Sequence, residues 1–138
     1  MCKRAKRLVI GRGLLAGVIG RVAEHGDVES VGFILGECRD EEAVASAVVH
    51  VENAARSPVE FNVRPEDLYR VFKEAEARGQ DVIAVYHSHP APPYPSRRDV
   101  EGMELWPVVW LIVSMDSLES RAYVLRDDRI TEVELVVR

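Results

Sequence analysis

Apolar residues along the chain recur at two different spacings, and these spacings predict both helices and strands. Residues 14–22 are apolar at helical intervals, which predicts an amphipathic helix that ends near His25 and Gly26. A second helix is predicted to begin at Pro65, because proline suits the first helical turn, and to end at Gly79. Between and after these helices the apolar spacing is that of strands.

The other apolar stretches are short or alternate with polar residues, as β-strands do. The segments 30–36 and 43–53 flank the charged turn ECRDEE, which predicts an antiparallel hairpin. The segments 82–86 and 108–113 are continuously apolar, which is typical of strands covered on both faces. Further strands are predicted at 8–10, at 118–125 and 130–137 on either side of the turn Asp127-Asp128, and as a short piece around Phe61.

These elements together predict an α/β fold, with a mixed central β-sheet flanked by helices. A length of 138 residues suits one domain, 1–138, that can bury a core of its own. The composition, 47% hydrophobic and 30% charged, is that of a soluble globular protein rather than of a disordered segment.

The charge of the chain argues against two classes of partner. A net charge of −5 gives no overall attraction for nucleic acid or for an anionic membrane, so we expect neither. The only basic run, Lys3, Arg4, Lys6 and Arg7, is predicted to be a solvated N-terminal tail. The apolar segment after it imitates a signal peptide, but Arg12 interrupts it, and no stretch approaches the roughly 20 apolar residues of a membrane span. We therefore expect a cytoplasmic protein.

The two cysteines, Cys2 and Cys38, are far apart and form no CxxC pair. They cannot build a cysteine-rich zinc site, and they do not indicate a secreted disulfide framework. We expect structural or incidental thiols, and the sequence leaves open whether the two are bridged.

The stretch YHSHPAPPYPSRRD (86–99) concentrates polar side chains just beyond a buried strand. In an extended chain alternate side chains point the same way, so His87 and His89 face one side and Ser88 faces the other. The prolines that follow make a stiff bend that can return the chain toward the end of the strand. The stretch is either an ordinary polar loop or part of a metal site.

The bend leads to a third ligand candidate. Asp99 falls on the first turn of a short helix predicted over 97–106, with Ser96 as its N-cap. Two imidazole nitrogens and one carboxylate oxygen make a typical catalytic zinc set, which leaves the fourth position for water. Such a site also needs a base and a hydrogen-bond donor for the oxyanion. Ser96 is near enough in sequence to be that donor, whereas the base must come from elsewhere.

The pattern HSHP followed by PSxxD resembles the signature of the JAMM, or MPN-plus, zinc metalloproteases. Their second mark is a glutamate three residues before a glycine, at the start of an apolar strand that ends in another glycine. ESVGFILG (29–36) has this form, so the resemblance assigns the general base to Glu29 rather than to Glu37. One difference is the spacer between His89 and Ser96, in which PAPPYP supplies six residues where seven are commonest.

The resemblance implies a JAMM/MPN fold, which is cytidine-deaminase-like, and a zinc-dependent peptidase or isopeptidase. The substrate class it implies is a ubiquitin-like modifier or sulfur-carrier protein, cleaved after its C-terminus. His87, His89 and Asp99 would hold Zn2+, with water on the metal as nucleophile and Glu29 as its general base. Ser96 would stabilise the oxyanion, and Ser88 would support the site from behind. The sequence leaves open whether the protein works alone, as a homodimer or on a proteasome-like particle.

Two other functions compete with this one. A zinc nucleoside deaminase needs an HxE motif together with a PCxxC motif, and the sequence contains no PCxxC motif. A non-catalytic MPN-type scaffold subunit of a larger complex is the remaining alternative, which the complete set of ligand candidates disfavours. The other two histidines, His25 and His50, are expected to be structural.

Overall fold

A computed structural model of the chain describes Cys2 and residues 4–55, 62–90 and 92–138. Strands and helices follow one another along these residues without long irregular segments. In chain order they are β1 (Arg7–Ile10), α1 (Arg12–His25), β2 (Val31–Arg39), β3 (Glu42–Val51), α2 (Pro65–Arg78), β4 (Asp81–His89), α3 (Arg97–Leu105), β5 (Val109–Ser114), β6 (Ser120–Arg126) and β7 (Arg129–Val137). The short strand predicted around Phe61 lies outside the described residues.

The strands form one mixed sheet, as predicted, in the order β1-β3-β2-β4-β5-β6-β7. β1 runs parallel to β3 on one side and parallel to β7 on the other, so the sheet closes on itself. β4 and β5 are also parallel, and the remaining neighbours are antiparallel. This closure was not predicted, because a strand of four residues carries no signal for which neighbours it takes.

The hairpin between β2 and β3 has a shorter turn than the sequence indicated. Arg39 pairs with Glu42, which leaves only Asp40 and Glu41 as the loop. Asp40 takes a positive φ of 54°, which this tight turn requires. The charged residues 37–39 are strand rather than turn, because at the rim of the sheet both faces meet solvent and polar side chains can continue the ladder.

β4 is likewise longer than its apolar stretch. The predicted strand ended with the buried residues 82–86, but pairing with β5 continues through Ser88 and His89. The polar end of β4 is nevertheless buried, which hydrophobicity does not reveal. Polar residues are tolerated there because they bind to one another, as described below.

The helices cover opposite faces of the sheet. α1 packs through Val18 and Val22 on one face, while α2 and α3 pack on the other through Val71, Ala75 and Met103. The three glycines of α1 do not serve close packing, because a side-chain carbon added at Gly13, Gly17 or Gly20 would meet no atom within 4 Å. Among the described helices none is both long and apolar enough to cross a membrane.

The N-terminal segment is not the solvated tail that its charges predicted. Cys2 is buried and forms a disulfide with Cys38 of β2, with the two Cα atoms 5.6 Å apart. Ala5 is buried as well, whereas Arg4 and Lys6 are exposed, and Lys3 lies outside the described residues. The bridge that the sequence left open thus ties the start of the chain to the end of β2.

We predict that the disulfide contributes substantially to folding stability. The bridge closes a loop with a sequence separation of 36 residues, so the double variant Cys2→Ser/Cys38→Ser should lose about 4 kcal/mol of unfolding free energy. Chemical denaturation of both proteins, with and without reductant, measures this. Reductant should destabilise the parent and leave the variant unchanged. Identical unfolding midpoints for parent and variant would contradict the prediction.

Candidate active site

The register of two neighbouring strands brings Glu29 next to the HxH pair. β2 and β4 are antiparallel, with Val31 opposite His87. Glu29 stands just before β2 and is buried, with its Oε1 atom 3.9 Å from Nδ1 of His87. Glu29 and His87 are 58 positions apart in sequence, as are their neighbours Ser30 and Ser88, which form a hydrogen bond. The pairing of the two strands brings them together.

Asp99 completes the group from the first turn of α3. Its Oδ1 atom lies 2.8 Å from Nε2 of His87, and its Oδ2 atom lies 3.8 Å from Nε2 of His89. All three side chains are buried. The structure therefore brings together the three ligand candidates, and Glu29 stands beside them.

Ser96 fixes the orientation of Asp99 through a capping box. The Ser96 backbone N–H donates to Oδ2 of Asp99 at 2.8 Å, and the Asp99 N–H donates to Oγ of Ser96 at 3.2 Å. Because a hydroxyl can donate while it accepts, Ser96 keeps its own proton for another acceptor. The six-residue spacer is thus long enough to bring Asp99 onto His87.

The proline-rich bend is held in place by a residue that the sequence did not single out. Tyr123 of β6 donates its hydroxyl to the carbonyl of Pro93 at 2.7 Å, and its ring meets the ring of Tyr94 edge-on. The carbonyl of Tyr94 in turn accepts a hydrogen bond from Nε2 of His89 at 2.9 Å. An alternating strand such as β6 gives no hint that one of its side chains supports a loop 30 residues earlier.

Ser88 and Asn53 hold the backbone around Glu29. Ser88 Oγ accepts from the Ser30 N–H at 2.8 Å, and the Ser88 N–H donates to the Ser30 carbonyl at 3.1 Å. Asn53 donates from Nδ2 to the Glu29 carbonyl at 3.0 Å. The sequence analysis placed Asn53 at the end of the predicted strand 43–53 and gave it no role, because its partner is 24 residues away in sequence.

Charge and burial act against each other in this group. Burial would lower the pKa of His87, but the hydrogen bond and the charge of Asp99 outweigh it and raise that pKa. For Asp99 burial would raise the pKa, yet the contact with His87 prevails and lowers it. Burial, and then the charge of His87, lower the pKa of His89. The contact thus favours the charged forms of His87 and Asp99, whereas burial favours the neutral form of His89.

The donor set fits a zinc ion after a small rearrangement. Within the described ranges no three His, Cys, Asp or Glu side chains have the arrangement of a preformed metal site. Oδ1 of Asp99 and Nε2 of His87 lie 2.8 Å apart, whereas ligands about 2.1 Å from a tetrahedral zinc lie roughly 3.4 Å apart. This pair of atoms would therefore have to separate slightly before both could bind one ion.

A further observation supports the fit. Nδ1 of His89 is buried, and no hydrogen-bond partner for it is found among the residues that the structure describes. A buried nitrogen lone pair that no donor satisfies costs free energy, and a cation would satisfy it. Two imidazoles and a carboxylate are also the donors that zinc prefers.

The group opens onto an apolar cleft of about 780 Å³. Glu29, His89, Ser96 and Asp99 belong to its polar lining, which also includes Asn62, Arg98 and Glu101. Phe33, Trp106 and Trp110 are among the apolar residues that line it. Trp106 lies 5.4 Å from Phe33 and stacks on Phe72 at 5.8 Å, while Trp110 packs edge-on against His87 at 5.7 Å. A cleft of this size accommodates a short stretch of extended peptide.

One glycine of α3 makes this wall possible. A side-chain carbon at Gly102 would lie 2.5 Å from the ring of Trp110, so α3 can approach the sheet closely only without one. The indole of Trp110 also donates to the carbonyl of Trp106 at 3.0 Å, which fixes the two tryptophans relative to each other. Both Trp106 and Trp110 line the cleft.

The remaining polar candidates stand away from the ligand group. Glu37 is exposed near the other end of β2 and pairs with Arg39 at 2.8 Å. His25 contacts Ser30 Oγ through Nδ1 at 3.1 Å. His50 contacts the hydroxyl of Tyr86 through Nδ1 at 2.7 Å. These contacts are structural ones.

Comparison with known proteins identifies relatives that share most of the chain. A desampylase from Pyrococcus furiosus is 38% identical over 132 residues, which cover 94% of this chain and 90% of that protein. A probable TtuB-protein conjugate cleaving protease from Thermus thermophilus is 32% identical over 132 residues, covering 94% and 82%.

A solved structure and a family of known domains also match this chain. The crystal structure of a JAB1/MPN domain protein from Archaeoglobus fulgidus superposes with a TM-score of 0.64 at 21% identity, covering 97% of this chain and all of that one. Residues 14–126 match the family described as prokaryotic homologs of the JAB domain. The chain therefore has the JAB/MPN fold and belongs to the family of prokaryotic JAB-domain proteins.

Proposed function

We propose that this protein is a zinc-dependent peptidase that cleaves the bond after the C-terminus of a ubiquitin-like modifier or sulfur-carrier protein. The observation that carries the proposal is the buried group on the wall of the cleft, in which Asp99 reaches both His87 and His89 and Glu29 lies beside them. Four titratable side chains that are buried together beside a cleft are typical of a functional site.

His87, His89 and Asp99 are the residues that would hold the zinc ion. When bound, the ion would polarise a substrate carbonyl and lower the pKa of a water molecule at the site. Binding would require Asp99 to give up its 2.8 Å contact with His87, and its capping box with Ser96 would keep the carboxylate in place. The neutral form of His89, which burial favours, is the form that binds a metal.

Glu29 and Ser96 would carry out the proton transfer and the charge stabilisation. Glu29 lines the cleft and is fixed through its backbone, so its carboxylate can take a proton from water and deliver it to the leaving amine. The Ser96 hydroxyl also lines the cleft and can donate to the oxyanion that develops on the carbonyl. The products are a free C-terminal carboxylate on the modifier and an amine on its former partner.

The substrate class rests on the relatives. A desampylase and a probable protease of TtuB conjugates both act, by their names, on proteins joined to another protein, and each matches 94% of this chain. A concave cleft with apolar walls suits an extended peptide tail better than a folded surface. The alternative is a non-catalytic scaffold subunit of a larger complex, which would need neither zinc nor Glu29.

We predict that Glu29→Gln abolishes cleavage without loss of zinc. An amide of the same shape cannot accept the proton, so the rate should fall by about 10²- to 10⁴-fold, while metal analysis still finds zinc on the protein. Cleavage of ubiquitin-like fusion proteins measures the rate. The matched control is Glu37→Gln. Glu37 is an exposed glutamate near the far end of β2, so this variant should cleave normally. Retained activity in Glu29→Gln would remove this residue from the role.

Removal of the metal should stop the reaction reversibly. A chelator should abolish cleavage and zinc should restore it, and His87→Ala and Asp99→Ala should both fail to bind zinc. Asp116→Ala, an exposed aspartate in the turn after β5, serves as the control and should bind zinc normally. A parent protein that binds no zinc at neutral pH would favour the scaffold alternative.

Substitution of Ser96 separates its two roles. Ser96→Ala should lower the rate by about 10- to 10³-fold, because an oxyanion donor is lost, and should also cost about 1 kcal/mol of stability through the lost cap. Ser96→Thr keeps a hydroxyl for both roles and should be close to the parent in rate and in unfolding midpoint. A full rate in Ser96→Ala would restrict Ser96 to its structural role.

A further inference from the structure

A hydrogen-bonded cluster lies behind the site, on the opposite face of the sheet. Arg21 of α1 donates from Nη1 to the carbonyl of Val31 and to the hydroxyl of Tyr86, each at 2.6 Å. Its Nη2 group donates to the carbonyl of Val51. Because successive side chains of a strand point to opposite faces, Tyr86 faces this cluster while His87 faces the cleft. One guanidinium thus joins the ends of β2, β3 and β4.

Two of these contacts involve residues that are neighbours of the candidate site residues in the sequence or across the sheet. Val31 follows Glu29 by two residues and is the partner of His87 across the ladder. Tyr86 precedes His87 on β4, and its hydroxyl is also bound by His50 at 2.7 Å. The bond from Arg21 therefore ties the strand that carries the base to the strand that carries a ligand.

The third contact reaches Glu29 through a neighbour. Val51 ends β3, and Asn53 two residues later donates to the carbonyl of Glu29. The position of Asn53 therefore depends on where β3 ends, and Arg21 holds that end by the Val51 carbonyl.

The same cluster explains the first glycine of ESVGFILG. A side-chain carbon at Gly32 would collide with the ring of Tyr86, which lies across that position. The glycine leaves the space that lets the Tyr86 hydroxyl reach Arg21. The motif glycine and the arginine thus belong to one arrangement.

We propose that Arg21 is a positioning residue that holds Glu29 in register with His87 for catalysis, an inference that rests on the proposed function. Arginine suits this task because its planar fork presents several donors at fixed angles, whereas a lysine ammonium is a single flexible point. α1 provides a rigid support, since Val18 and Val22 are fully buried against the sheet. A shift of about 1 Å in a catalytic group can cost on the order of 100-fold in rate.

The test compares Arg21→Lys with Arg12→Lys, an exposed arginine on the same helix. At a temperature well below unfolding, Arg21→Lys should lower kcat by about 10- to 100-fold, with KM and zinc content unchanged. Arg12→Lys should match the parent in all three. Tyr86→Phe removes the hydroxyl that accepts from Arg21 and keeps the ring, so it should lower kcat by a smaller factor. This variant replaces Arg21→Lys in the test if Arg21→Lys folds poorly. A loss of zinc together with activity would overturn the assignment to Glu29.

Hydrogen exchange measured by mass spectrometry tests the role of Arg21 independently of the proposed peptidase function. Exchange of the amides at 29–31 and 87–88 should become about tenfold faster in Arg21→Lys, and not in Arg12→Lys, whether or not the parent cleaves any substrate tested. An inactive parent with this exchange pattern would contradict the proposed function and leave Arg21 as the residue that holds these strands. Unchanged exchange, or an unchanged kcat in an active enzyme, would overturn the role of Arg21.

Discussion

The antiparallel register of β2 and β4 is the constraint on which the candidate site depends. Because Val31 lies opposite His87, Glu29, two residues before β2, must stand beside the imidazoles at the end of β4. A slip of one residue would turn every side chain of one strand to the other face and would separate Glu29 from His87. Side chains are buried on both faces of these strands, such as Phe33 on one face and Tyr86 on the other, and they oppose such a slip.

Burial of the site carries a free-energy cost that local contacts offset. Charged groups lose hydration when they leave water, and a buried carboxylate is tolerated only with strong partners. The carboxylate of Asp99 has two close partners, because Oδ1 lies 2.8 Å from Nε2 of His87 and Oδ2 accepts a hydrogen bond from the Ser96 backbone N–H at 2.8 Å. The raised pKa of His87 and the lowered pKa of Asp99 express the same balance. The same strongly held pair is what a zinc ion would have to open.

Several parts of the fold could be predicted because their signals are local. Pro65 at the first turn of α2 and Gly79 in a left-handed conformation at its end bound that helix where the sequence placed it. Strand ends were placed less well, because apolar runs stop before pairing does, as at Ser88 and His89. The parallel pairing of β1 with β7 and the bridge from Cys2 could not be predicted, since each depends on distant parts of the chain.

By itself the sequence determined the chemistry available to this protein: an HxH pair on one strand face, a Ser-x-x-Asp turn that caps its own helix, and a glutamate before a glycine-bounded strand. These are short-range patterns, in which backbone periodicity and spacing fix the relation between side chains. Tertiary structure alone decided that Glu29 reaches His87, that Tyr123 supports the proline bend, and that Arg21 binds three strand ends from behind. The physical reason is that these contacts join residues far apart in sequence, whose approach depends on sheet register and helix packing.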